Sequence, residues 1–307
     1  MCIIKNMTIY SNKLFTPKTI LVVSDIHRTN RKGCNSGLRN LEKLYAEIIT
    51  GIKSGKYSKP DAIIIPGDII NDSAELERNS FRKEIVDEIY SMTRFIPTYI
   101  SLGDHDQMTQ DTKGHWLKGN TDALRDIIRC IPNTQLLEGN QMAQFEEISI
   151  GAFSPDYEYY EISKEDPSVF AGMFRTTKRP KFSISTYNIL MTHSPSSIMA
   201  LSDDKDKCID PFADLVVSGH MHNGIIKLPK NIGLISPQMQ LFPRNAHGTA
   251  IIGKTKFIIN GPVNTSVKNK YLNNFFKPTA SIITLKPSEF DPLEDLTSKT
   301  NYQKVKK

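Results

Sequence analysis

Five short segments of this chain carry aspartate, histidine or both within a few residues of one another: Ser24-Asp25-Ile26-His27, Gly67-Asp68, Gly103-Asp104-His105-Asp106, Thr192-His193-Ser194 and Gly219-His220-Met221-His222. They hold five of the seven histidines; only His115 and His247 fall elsewhere. Carboxylate and imidazole together suit divalent cations such as Mn, Fe, Ni, Co or Zn, whereas Mg and Ca prefer all-oxygen sites. Asp25 and His27 are two residues apart, as are His220 and His222. In a regular strand each pair would share a face and reach one ion. Asp25, His27, Asp68, Asp104, His193, His220 and His222 make too many ligands for one tetrahedral ion. They suit two ions that share a carboxylate.

Each segment alone has an ordinary explanation. Gly-Asp is common turn chemistry, and a lone histidine is usually a hydrogen-bonded core or loop residue. The position of all five decides the matter. Each follows a compact apolar run: Thr19 to Val23, Asp61 to Ile65, Thr98 to Leu102, Ile189 to Met191 and Leu215 to Val217. Such runs suit strands buried on both faces. Sites in open α/β sheets assemble at the carboxyl ends of strands. Glycine before Asp68, Asp104 and His220 would permit a sharp turn there. Several aspartates gathered in one crevice would be strongly unfavourable without cations.

Amphipathic helices separate the early strands. Leu38, Leu41, Tyr45, Ile48, Ile49 and Ile52 recur at helical spacing within Asn35 to Lys53, with Asn35 or Ser36 as the N-cap. Phe81, Ile85, Ile89 and Met92 form a second stripe, and Leu124, Ile127, Ile128 and Ile131 a third. This alternation predicts a parallel or mixed α/β sheet. Later, Gln144 to Phe153, Gly248 to Ile252 and Lys256 to Ile259 read as strands, the last two as a hairpin. A second sheet packed on the first is therefore expected in the C-terminal half. From Lys286 the chain turns polar, so a domain over 1–285 followed by a loosely attached tail over 286–307 is expected.

The 307 residues include 39% hydrophobic and 23% charged, an ordinary globular composition. A net charge of +6 fits an anionic substrate without suggesting a nucleic-acid coat protein. Cys2, Cys34, Cys130 and Cys208 form no CxxC pair, which excludes a zinc ribbon and predicts reduced thiols in a cytoplasmic protein. Neither a membrane-spanning run nor a signal peptide is expected, while peripheral membrane contact stays open.

Taken in order, the five segments resemble the calcineurin-like metallophosphoesterase superfamily, whose pattern runs D-x-H, G-D, G-N-H-[DE], a histidine after a strand, and G-H-x-H. The opening TPKTILVVSDIH and the segment GHMHNG resemble its bacterial YkuE/YaeI-like branch. The resemblance implies a four-layer α/β/β/α sandwich of two mixed sheets flanked by helices. It implies that Asp25, His27 and His222 hold one metal, that Asp68 bridges, and that Asp104, His193 and His220 hold the second. Manganese is the leading choice for both ions. His105 becomes the proton donor, and a bridging hydroxide the nucleophile, in hydrolysis of a phosphomonoester or phosphodiester. Two cations about 3.5–4 Å apart would neutralise phosphate charge and acidify water. A histidine of near-neutral pKa suits the leaving group.

Asp104 departs from the pattern, which has asparagine. The extra carboxylate would take the site from about +2 to about +1, tightening cations but weakening the pull on substrate and water. The expected substrate is a small phosphate ester, lipid- or nucleotide-linked, and no obligate protein partner is evident. A nucleotide or nucleic-acid phosphodiesterase, and a catalytically weakened metal-binding module, are the alternatives. Arg28 is a candidate phosphate contact. Asn71 and Asn223 could support ligands or cap turns. His115-Trp116 could line a leaving-group pocket but reads first as a surface loop, Tyr157 to Tyr160 with Phe170, Met173 and Phe174 could line a substrate cleft but read first as local packing, and His247 has no assigned role.

Overall fold

The computed structural model describes residues 2–31, 34, 37–163, 178, 180–195, 213–224, 226–235, 241–243, 245–264 and 277–288, the side chains of 161–163 excepted. In chain order the elements are β1 (Ile3–Ser11), β2 (Lys18–Val22), α1 (Leu38–Lys53), β3 (Ala62–Pro66), α2 (Asn79–Thr93) and β4 (Thr98–Ser101). There follow β5 (Met108–Gln110), β6 (Trp116–Lys118), α3 (Asp122–Cys130), β7 (Thr134–Leu136), β8 (Met142–Phe145) and β9 (Ile148–Phe153). The last are α4 (Tyr157–Ser163), β10 (Tyr187–Thr192), β11 (Leu215–Ser218), β12 (Gly248–Ile252), β13 (Thr255–Ile259) and β14 (Thr279–Pro287).

Two mixed sheets result, ordered β1-β14-β2-β3-β4-β7 and β12-β13-β11-β10-β9-β8. The strands β2, β3, β4 and β7 run parallel, as do β9, β10, β11 and β13. Both faces of the central strands are covered, which explains their unbroken apolar runs. Ile20, Val22, Ile64, Ile150, Ile189, Met191 and Val217 fill the space between the sheets. On the outer face of the first sheet, Leu21, Ile63 and Ile65 meet Leu44 of α1, Phe81 and Ile85 of α2, and Leu124 and Ile128 of α3. On the outer face of the second, Leu190, Val216 and Phe257 meet Tyr159 and Tyr160 of α4. The architecture is the expected α/β/β/α sandwich, with α4 representing its fourth layer among the described residues.

Several boundaries differ from the sequence reading. α1 starts at Leu38 behind Gly37, whose φ of 79° and position 2.7 Å from the Ile26 carbonyl (measured from a would-be Cβ) leave no room for a side chain. Asn35 and Ser36, the expected caps, lie outside the described residues. The stretch from Gln144 to Phe153 is two strands, because the chain reverses at Glu146 with φ 52°. The strand-rich C-terminal half is not confined to the second sheet: β14 inserts between β1 and β2 of the first. It is apolar on both faces, with Ile282 toward the helices and Ile283 and Leu285 toward the other sheet. Since β14 runs to Pro287, ordered structure continues past the expected boundary at 285, and residues 289–307 lie outside those described. Among the described residues no helix is long and apolar enough to cross a membrane.

Candidate metal centre

The loops after β2, β3, β4, β10 and β11 converge at one end of the sandwich. Backbone hydrogen bonds lace them together. Ile26 and His27 both donate to the Asp68 carbonyl (2.8 and 3.0 Å), Asn71 donates to the Arg28 carbonyl (2.9 Å), and Gly219 donates to the His193 carbonyl (3.1 Å). Side chains add cross-links. The His220 N–H donates to Asp25 Oδ1 (2.8 Å), and the His105 N–H donates to Asp68 Oδ1 (3.0 Å).

Five of the seven candidate ligands have left-handed backbone: Asp25 (φ 53°), His27 (46°), Asp68 (57°), His220 (65°) and His222 (46°). The expectation that Asp25 and His27, or His220 and His222, share a strand face is therefore corrected. The chain has left regular extended geometry, and a kink at each residue aims its side chain inward. Only Gly67 among the three preceding glycines is left-handed, with φ 88°. Gly103 and Gly219 serve close approach instead: a Cβ would strike the Asp68 carboxylate at the first and the Asp25 carboxylate at the second.

These loops bring all seven side chains together in two groups, Asp25, His27, Asp68 and His222 in one and Asp104, His193 and His220 in the other. In the first, His27 Nε2 lies 3.0 Å from His222 Nε2 and 3.3 Å from Asp68 Oδ2, and His222 Nε2 lies 3.3 Å from Asp25 Oδ1. In the second, His193 Nε2 lies 2.9 Å from Asp104 Oδ1 and 3.1 Å from His220 Nδ1, which is 3.4 Å from Asp104 Oδ1. Asp68 Oδ2 is also 3.2 Å from His193 Nε2, so one oxygen stands between the groups.

These distances suit metal ligands. Donor atoms about 2.1 Å from an ion, at angles between about 90° and 110°, lie roughly 3.0 to 3.4 Å from each other. Several carboxylate oxygens among them lack other partners. His193 Nδ1 is 2.8 Å from the Pro66 carbonyl and carries its proton there, which leaves the Nε2 lone pair facing two carboxylates. Asp25 Oδ2, Asp68 Oδ2 and Asp104 Oδ1 are buried with no hydrogen bond. Lone pairs packed against lone pairs away from water require a cation.

Protonation tells the same story. Burial would raise Asp104, but His220 and His193 beside it hold its carboxyl well below the usual range. Burial would lower His193, but Asp68 and Asp104 hold it well above the ordinary histidine value. The group thus keeps a positive charge between these donors even when that charge is only a proton. In the other group, burial and then His105 and His222 depress His27 far below its usual value, leaving a neutral imidazole suited to ligation.

His105 stands beside the groups. Its Nδ1 is 2.9 Å from the Asn71 carbonyl, which fixes the tautomer and leaves Nε2 free. Its ring packs edge-on between His27 (4.7 Å) and Trp116 (4.8 Å). Burial pulls its pKa down, but the Asp68 and Asp104 carboxylates prevail and raise it.

Arg28 is a correction. Its side chain turns away from the crevice, is only 2% exposed, and clamps Glu88 on α2 through Nε (2.5 Å) and Nη2 (2.6 Å) while lying over Phe81. Trp116 is another. His115 is on the surface as expected, but Trp116 faces inward onto His105. Asn71 contributes its carbonyl to His105, and Asn223 occupies a left-handed turn. Tyr159 packs locally, while the Tyr160 ring also lies 6.3 Å from the rings of His193 and His220; Phe170, Met173 and Phe174 lie outside the described residues. Sequence reasoning gave Asp106 no role. It is fully buried, and its carboxylate accepts from four backbone N–H groups: Asp68 (2.8 Å), Ile69 (2.9 Å), Ile70 (3.1 Å) and Gly103 (2.9 Å). The available signal was an acid inside a turn between buried strands.

The model of the calcineurin-like phosphoesterase family matches residues 18–224. No curated protein sequence matches the chain. Similar solved structures include a purple acid phosphatase from yellow lupin (Lupinus luteus) seeds, at 13% identity and TM-score 0.38, covering 69% of this chain and 39% of that one. Another is a dimetal phosphatase from Danio rerio, at 9% identity and TM-score 0.37, covering 80% of this chain and 88% of that one.

Proposed function

The chain belongs to the calcineurin-like phosphoesterase family and is a metal-dependent phosphoric ester hydrolase, and from that premise we propose that it cleaves a small phosphate mono- or diester in the crevice around Asp68. Asp25, His27 and His222 would hold one divalent cation and Asp104, His193 and His220 the other, with Asp68 placed to serve either group. The observation that carries this reading is Asp68 Oδ2, placed 3.3 Å from His27 Nε2 and 3.2 Å from His193 Nε2. When bound, such a pair neutralises phosphoryl charge and lowers the pKa of water. Manganese is our choice among Mn, Fe, Ni, Co and Zn, all compatible with mixed carboxylate and imidazole donors.

His105 is the proton donor. The Asn71 carbonyl occupies Nδ1–H, so Nε2 is the atom that can present a proton to the leaving oxygen. The neighbouring carboxylates favour the protonated ring, and Trp116 and His27 hold its plane. A phosphate ester linked to a lipid or nucleotide, a cytoplasmic setting and a place in the YkuE/YaeI-like branch complete the reading. The unpaired thiols of Cys2, Cys34 and Cys130 agree with a reducing compartment.

The test is turnover of p-nitrophenyl phosphate and bis-p-nitrophenyl phosphate after loading with Mn. His105→Ala should lower kcat by about 10²–10⁴ with metal content unchanged, while Asp68→Ala should lose both metal and turnover. Full turnover by His105→Ala would refute the donor role. No turnover of either ester by the wild-type protein with two ions bound would favour a binding module.

A further inference from the structure

A second polar cluster uses none of the residues above. Lys5 lies on the face of β1 that looks between the sheets, since Met7 and Ile9, two and four residues on, pack in that core. Its register partner on β14 is Ser281, whose hydroxyl bonds Asn260, which in turn bonds the hydroxyl of Ser24, the residue before Asp25. Lys5 therefore lies at the same end of the sandwich as the metal centre. Its Nζ is buried and has no hydrogen-bond acceptor. An ammonium has three N–H donors, and here none is used.

Two more basic groups are near enough to share its electrostatics. Lys227 sits on a short bridge to Gly233, and the next residue, Leu228, receives His247 Nε2 at its carbonyl (3.3 Å). Burial, then the charge of Lys227, brings Lys5 down to about 8; burial, then Lys227 and Lys5, lowers His247. Burial also lowers Lys227. No carboxylate among the described residues is a cause of the shift at either lysine. A buried ammonium with no acceptor, and beside it a lysine whose charge lowers both Lys5 and His247, form an arrangement completed by an anion.

We infer that Lys5, Lys227 and His247 form an oxyanion site, distinct from the metal centre, that takes a phosphate group. Phosphate offers several acceptors to the unused Lys5 donors and restores charge balance through charge-assisted bonds. The group is either free phosphate or a second phosphate of the substrate.

The experiment uses full-length protein stripped with EDTA, so that the metal centre holds no cation, titrated calorimetrically with inorganic phosphate. Wild type should bind about one equivalent, and Lys5→Met and Lys227→Gln should each weaken binding at least about tenfold, the loss of one charge-assisted contact. Lys5→Met should also melt higher than wild type in phosphate-free buffer, because the buried unpaired charge is gone, and should lose the rise in melting temperature that phosphate gives wild type. Lys227 is largely at the surface, so Lys227→Gln tests the site even if Lys5→Met does not fold. No binding by wild type, or wild-type affinity in Lys227→Gln, overturns the inference. In Mn-loaded protein, a Lys227→Gln rise in KM for a bisphosphorylated ester alone assigns the site to substrate, and unchanged KM for both ester types assigns it to free phosphate. Phosphate binding without turnover would defeat only the hydrolase reading, and turnover without phosphate binding by the stripped protein only this one.

Discussion

Asp106 offers a sharp test of how the metal centre is held. Its Oδ1 accepts from Ile69 and Ile70, and its Oδ2 from Asp68 and Gly103, so one carboxylate joins the loops that carry Asp68 and Asp104. Asp106→Ala leaves four buried donors without an acceptor. At about 1–3 kcal/mol each, the loss is roughly 4–12 kcal/mol, with water entry favouring the lower end. That is comparable to the whole stability of a domain, about 5–15 kcal/mol. Asp106→Asn is the more informative variant. One amide oxygen can still serve two donors while the amide N–H₂ faces the other two, so roughly half the loss, about 2–6 kcal/mol, is expected. Metal affinity should fall about 10–100-fold, as when a supporting group is removed. Urea unfolding of the metal-stripped protein measures the first quantity, and Mn titration the second. The pH dependence has a definite sign. Burial, then the Asp68 charge, pushes the Asp106 carboxyl up to about 7 in the absence of cations. A carboxyl with a raised folded pKa contributes stability that is present at low pH and lost as pH rises from about 4 toward 7. The difference between wild type and Asp106→Asn should therefore shrink across that interval. A destabilisation under about 1 kcal/mol in the asparagine variant, together with unchanged Mn affinity, would refute the assigned role.

Other outcomes follow from the same geometry. Asp104→Asn should raise turnover and release Mn more readily, since it moves the site charge from about +1 to about +2; a lower kcat in this variant would reject the idea that Asp104 weakens catalysis. Gly219→Ala places a methyl against the Asp25 carboxylate and 2.9 Å from Ser24 Cβ. Asp25 cannot withdraw without losing the His220 N–H, so a loss of about 1–3 kcal/mol and of one equivalent of metal is expected by unfolding and metal analysis. Trp116→Ala removes an edge-on aromatic contact worth about 0.5–1.5 kcal/mol. It should reduce kcat with both metals retained, whereas unchanged kcat would show that His105 does not need the indole.

The residues of the metal centre were legible because buried strands advertise themselves as unbroken apolar runs, and everything after such a run is forced to the same end of the sheet. What stayed hidden depends on direction and on distant partners. Arg28 follows a candidate ligand, yet Glu84 and Glu88, 56 and 60 residues away, capture its guanidinium. Trp116 lies eleven residues past His105 on a two-stranded ribbon whose pairing no periodicity reveals. β1 escaped notice because polar residues interrupt it, and only its pairing with β14 makes it a strand. The Asp25-x-His27 spacing pointed to side chains that the fold does bring together, but by another geometry. Strand alternation was expected, and left-handed kinks do the aiming.

That difference has an energetic meaning. A non-glycine residue held left-handed costs on the order of 1–3 kcal/mol, so five of them cost about as much as a domain's net stability. The carboxylates of Asp106, Asp25 and Asp68, each accepting backbone N–H groups from another segment, are what hold the kinks in place. The converging lone pairs add a further cost that only cations remove. The fold thus stores unfavourable energy at one end of its sheets, and binding divalent ions there releases part of it. On this account metal binding and global stability are one coupled equilibrium, and the ligand set is rigid before the ions arrive.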